Sequence, residues 1–63
     1  PTKEETITLI QKLKNNGYTT EEIAVMLQRT HQTIFAWGSS AESMKTRIPC
    51  LSEYRVLEHL LEK

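Results

Sequence analysis

The stretch Thr19-Thr20-Glu21-Glu22-Ile23-Ala24-Val25-Met26-Leu27-Gln28-Arg29-Thr30-His31-Gln32-Thr33-Ile34-Phe35-Ala36-Trp37 decides how this 63-residue chain is read. It opens on a capping box, Thr19 with Glu22 three places on. Ile23, Ala24 and Leu27 then recur at helical spacing, with Met26 beside them. Gln28-Arg29 interrupts the pattern. Thr30 is placed to cap a further helix running from His31 to Trp37, and Gly38 offers its stop. The connection is so short that the two helices must meet at a steep angle.

That geometry makes specific demands. A small residue must sit where the second helix crosses the first closely, and Ala24 meets this. Apolar residues must fill the junction, and Ile23, Leu27, Ile34 and Trp37 meet it. The N-terminus of the later helix must be capped yet exposed, and Thr30 provides that. The spacing from Ala24 to Ile34 to Trp37 is the spacing of a helix-turn-helix.

Upstream, Thr2-Lys3-Glu4-Glu5 is a second capping box. Ile7, Ile10 and Leu13 follow at helical spacing, with Leu9 four before Leu13. Asn15-Asn16-Gly17 should end this helix, with Gly17 left-handed and Tyr18 folded back on Leu13. Downstream, residues 38–47 are Ser-rich and read as a loop. The run Ser39-Ser40-Ala41-Glu42 offers a cap for one extra turn through Met44. Pro49 marks the start of a last helix, with Leu51, Tyr54, Leu57 or Val56, Leu60 and Leu61 as its apolar stripe. No alternating strand pattern occurs. The expected fold is all-α: a compact bundle of four to five short helices in a single domain, 1–63, with the helix-turn-helix at 19–37. Trp37, Tyr18 and Met26 are expected in its core.

Composition narrows the function classes. Eight Lys and Arg balance eight acids, all of them Glu. A chain this short buries a marginal core and lacks the depth for most active-site clefts. One cysteine, Cys50, cannot close an internal disulfide, which suits a reducing cytoplasm. No apolar run is long enough to span a membrane, and no signal peptide is apparent. Pro1 suggests a removed initiator Met. Cys50 with His31 or His59 is the only thiol–imidazole combination, a scattered set that does not suggest catalysis. The paired short spacings of a zinc site are missing. His59 and Glu62 share a helical face that reads as solvated. Gly17 and Gly38 stand alone, so no phosphate-binding loop is present. The expectation is a binding module, not an enzyme, with no cofactor, metal or small-molecule substrate.

Residues 19–27 resemble the second helix of Cro-type phage repressors, and residues 30–37 resemble their recognition helix. The tail Ile48-Pro49, followed by Ser52-Glu53-Tyr54-Arg55-Val56-Leu57-Glu58, is also similar to small Cro proteins. The resemblance spans roughly residues 6–61 and implies a Cro/lambda-repressor-like fold. It implies a transcriptional regulator that binds a palindromic operator as a homodimer. In that family the turn usually carries a left-handed Gly; Gln28 stands there, at a cost of about 1 kcal/mol. An apolar residue usually follows, where this chain has Arg29. The linker from Trp37 to Ile48 is longer than in small Cro proteins and suits an extra contact loop.

On the recognition helix, Ile34 and Trp37 should point inward, leaving His31, Gln32, Phe35 and Ala36 outward. The resemblance implies that these meet base edges in the major groove of double-stranded DNA. The Gln32 amide suits bidentate pairing with adenine. His31 suits guanine or a phosphate, and is equally a solvated residue of the cap turn. Phe35 and Ala36 suit thymine methyl groups; Phe35 alternatively joins the core or a dimer seam. Thr20, Arg29, Thr30, Lys45 and Arg47 are candidate phosphate contacts, although a capping Thr is as readily only a cap and Lys45 and Arg47 ordinary loop residues. Leu57, Leu60 and Leu61 are candidate dimer contacts, and compete with the intramolecular core.

Two other readings stand beside this one. Residues 17–24 also resemble the DNA-binding ends of resolvases and transposases. A protein-interaction module on a three-helix fold is the reading of another class, and neutrality favours it. The charge is unevenly spread, however. Residues 1–22 and 51–63 each carry −1, and residues 23–50, with Arg29, Lys45 and Arg47 against Glu42, carry +2. The basic third of the chain is the one holding the recognition helix.

Overall fold

The computed structural model describes residues 1–62; Lys63, counted in the charge balance, lies outside them. Four α-helices follow in order: α1 Lys3–Asn15, α2 Thr20–Leu27, α3 His31–Gly38 and α4 Leu51–Leu61. A single 3-10 turn, Glu42–Met44, sits in the loop before α4. Among the described residues there is no strand, and the fold is all-α.

Local chemistry accounts for the boundaries. Thr2 and Glu5 form the expected box: the Glu5 N–H donates to Thr2 Oγ1 at 3.1 Å and the Thr2 N–H to Glu5 Oε1 at 2.8 Å. Thr19 and Glu22 repeat it at 3.1 and 3.3 Å. Gly17 adopts φ +100°. Behind it the Tyr18 N–H donates to the Leu13 carbonyl at 3.1 Å and the Gly17 N–H to the Lys14 carbonyl at 3.0 Å. These two bonds are a Schellman stop.

The α2–α3 turn is retained without glycine. Gln28 takes the left-handed conformation, φ 56° and ψ 40°. The Arg29 N–H donates to the Ala24 carbonyl at 2.9 Å and the Gln28 N–H to the Val25 carbonyl at 3.2 Å. The bonding repeats that of the first stop.

α1 packs on both α3 and α4, and α2 packs on α3. The core takes Leu9, Ile10 and Leu13 from α1, Ile23 and Ala24 from α2, Ile34 and Trp37 from α3, and Leu57 from α4. Tyr18, Leu27, Tyr54, Leu60 and Leu61 close its edges. Thr6 is the one buried polar residue among those described; its hydroxyl donates to the Thr2 carbonyl at 2.9 Å.

Three expectations need correction. Met26 is 43% exposed and not core, because Ile23, Ala24 and Leu27 already supply the inner face of α2. Gly38 is the last residue of α3, which ends there as expected. A Cβ added there would lie 2.9 Å from Ile10 Cγ2, so α3 lies close against α1 at Gly38. The last helix begins at Leu51, with Cys50 at its cap and Pro49 buried just before it. Leu57 is wholly buried, so it is not available as a dimer contact.

Candidate nucleic-acid interface

The face of α3 is set by which residues its neighbours claim. Ile34 and Trp37 are buried. His31 and Gln32 are left exposed, and Phe35 is 52% exposed. Ala36 is half-buried at the edge of this face. Leaving that much of a phenyl ring in water forgoes the hydrophobic gain of burying it.

Beside α3 runs a groove of about 770 Å³. Arg29, Gln32 and Ala36 line it together with Met44 and Arg47, so the loop and the helix share one concavity. Phe35 and His31 are not among its lining residues and lie on the adjoining surface.

The N-terminus of α3 is capped by Thr30. Its hydroxyl accepts the Thr33 N–H at 3.3 Å and lies 2.9 Å from the Thr33 hydroxyl. Thr20 sits half-buried in the first turn of α2. The cations behave differently from one another. Arg29 forms a bidentate pair with Glu53 of α4: Nε lies 2.6 Å from Oε2 and Nη2 lies 3.0 Å from Oε1. The side chain of Glu53 is only 14% exposed. The Arg29 bond, aided by bonds from Cys50, holds the Glu53 carboxyl below its ordinary range, against the opposing effect of burial. Lys45 lies 3.5 Å from Glu42, with both side chains in solvent, a pair that contributes little. Among the described residues Arg47 makes no ion pair; its side chain is exposed.

Two residues of the site were not singled out from the sequence. Glu53 entered only as part of the Cro-like tail, but it anchors Arg29. Lys3 has a larger role. Its ammonium donates to the carbonyls of Ala36 at 2.6 Å, Trp37 at 3.1 Å and Arg47 at 2.9 Å. Ala36 and Trp37 belong to the last turn of α3, where a cation complements the helix dipole. Burial pushes the Lys3 pKa below its ordinary value. One signal was present in the sequence. A lysine in the first turn of α1 opposes that helix's own dipole, which invites a partner elsewhere.

The other candidate chemistries gain no geometry. Cys50 is exposed and contacts Ser52 Oγ at 3.1 Å and Glu53 Oε1 at 3.3 Å. His59 lies 3.5 Å from Glu62, both exposed. Among the described residues no three His, Cys or acidic side chains gather as a metal site. Among the described residues no helix is long and apolar enough to cross a membrane.

Comparison with known proteins adds a family. Residues 12–49 match the family described as the putative ATPase subunit of terminase (gpP-like). That segment runs from the last turn of α1 through α2, α3 and the loop to Pro49. It contains the whole of residues 19–37, on which the Cro-type resemblance rested, and stops before Tyr54-Arg55. No curated protein and no solved structure matches. Because the matched segment covers more than half of its length, the chain belongs to the gpP-like family of putative terminase ATPase subunits.

Proposed function

We propose that this chain is a sequence-reading, double-stranded DNA-binding element that lays α3 in the major groove. The observation that carries the reading is the division of α3. Ile34 and Trp37 anchor it, while Gln32, His31 and a half-exposed Phe35 face outward from a helix-turn-helix. Gln32 reads a base edge, His31 meets a base or phosphate, and Phe35 with Ala36 packs on thymine methyl groups. Thr20, Thr30, Lys45 and Arg47 face the phosphates, and Arg29 braces the turn through Glu53.

The family's description names an ATPase. Within the matched segment this chain has only the isolated Gly17 and Gly38, without the loop that cradles phosphates. The role proposed for it is therefore binding, without catalysis or a cofactor of its own. Membership of a family related to phage DNA packaging supports DNA as the partner.

The finer reading, an operator-binding regulator of Cro type acting as a homodimer, rests on residues 19–37 together with the Ile48-Pro49 and Tyr54-Arg55 tail. With Leu57 buried, a dimer surface on α4 would use Leu60 and Leu61, which are only half-buried. The symmetry of the preferred site decides between the two roles.

The test is a selection of bound sequences from a random duplex pool, followed by titration across a salt series. Binding should weaken steeply with salt. A single asymmetric site supports the element reading, and a palindrome the dimeric regulator. Gln32→Ala should flatten base preference at one position, by roughly ten-fold or more. Absence of duplex binding at low salt would refute the reading.

A further inference from the structure

The loop from residue 40 to 49 reaches the rest of the molecule through few polar contacts. Its internal bonds are local: the Ala41 N–H to Ser39 Oγ, the Met44 N–H to the Ala41 carbonyl, and the Arg47 N–H to the Met44 carbonyl. Among the described residues, Lys3 is the one hydrogen-bond donor from outside that reaches this loop, at the Arg47 carbonyl. The same ammonium holds the carbonyls of Ala36 and Trp37. One nitrogen therefore ties the backbone of Arg47 to the last turn of α3.

From this we infer that Lys3 is a positioning residue of the DNA interface. It fixes the backbone from which the Arg47 side chain extends, beside the groove that Arg47 and Gln32 both line. Lys3 does not meet DNA itself, because its three donor directions are spent on carbonyls. Arg47 supplies the phosphate contact, and Lys3 decides where that contact falls relative to the base being read. The inference rests on the DNA-binding reading above and assigns α1 a part in it.

A double-mutant cycle tests this. Lys3→Met, Arg47→Ala and the double variant are titrated with the selected duplex across a salt series, after thermal unfolding shows each to be folded. Lys3→Gln, shorter but still a donor, is the substitute should Lys3→Met not fold. Arg47→Ala is expected to lower the salt slope by about one. Lys3→Met should lower it similarly, the double variant should go no further, and Lys3→Arg should restore it. Amide exchange at residues 40–49 should quicken in Lys3→Met without DNA present.

Additive losses in the double variant would mean that Lys3 meets a phosphate directly, and would overturn the inference. So would a folded Lys3→Met with the wild-type slope, which leaves DNA binding intact. If the wild type shows no salt-dependent binding, the DNA reading itself fails and this role for Lys3 fails with it. The two failures are told apart by the wild-type titration alone.

Discussion

The corners at residues 16–19 and 28–30 end their helices with the same pair of backbone bonds and then diverge. At the first, glycine takes the left-handed position at φ +100°; at the second, glutamine takes it at φ 56°. After Gly17, the chain returns an aromatic ring to the core. Tyr18 packs at its edge and its hydroxyl donates to the Leu60 carbonyl at 3.3 Å. After Gln28, the chain sends a cation outward to Glu53. One corner is held by burial and the other by charge near the surface. The second corner adjoins the proposed interface, and Arg29 lines the groove beside it.

Removing the anchor of the first corner should have the largest effect. Tyr18→Ala should cost about 2–3 kcal/mol, less than for a fully buried aromatic, measured by urea unfolding. A loss below 1 kcal/mol would mean that burial does not hold that corner.

Exchanging the turn residues should come next. Gly17→Gln places a side chain at φ +100°, beyond the left-handed well near +57°, and should cost about 1–2 kcal/mol. No atom crowds a Cβ at that position, so the cost is conformational alone.

Gln28→Gly should do the reverse. It relieves about 1 kcal/mol of left-handed strain but raises the entropy of the unfolded chain by part of that amount. A net gain of about 0.5 kcal/mol is expected, with DNA affinity unchanged. A loss would show that the Gln28 side chain contributes to the turn.

The smallest effect concerns pH. Glu53 has its carboxyl pKa lowered in the folded state, so its pair with Arg29 stabilises the fold above the ordinary value of 4.5. That contribution fades as pH falls through the lowered value. Arg29→Met should unfold at lower temperature than wild type at neutral pH, and the difference should shrink on acidification. A difference independent of pH would show that the second corner is held by packing.

What the sequence made legible was local. The two capping boxes, the Gly17 stop and the Thr30 cap each depend on residues within five positions of one another. The helical spacing of Ile23, Ala24, Ile34 and Trp37 was enough to define their inner faces. Contacts between distant positions were hidden. Lys3 meets carbonyls more than thirty residues away, and Arg29 meets Glu53 twenty-four residues on. Gly38 illustrates a different limit. A glycine after a helical run reads as a stop, and only the approach of Ile10 reveals that it serves packing. Leu57 could be assigned to a core or to a partner from its stripe alone, and the core took it. On α3 the sequence separated anchoring from outward residues, but not which cations would already be paired.

The contact of Gly38 with Ile10 turns α3 into a lever. Its C-terminal end is the fulcrum, with no room for another carbon between the two helices. His31 stands seven residues away at the other end, about 10 Å along the axis. A tilt of about 5° at the fulcrum therefore carries the reading end by about 1 Å. Substitutions under the heel of the helix, at Ile10 or Gly38, would be felt most at its toe.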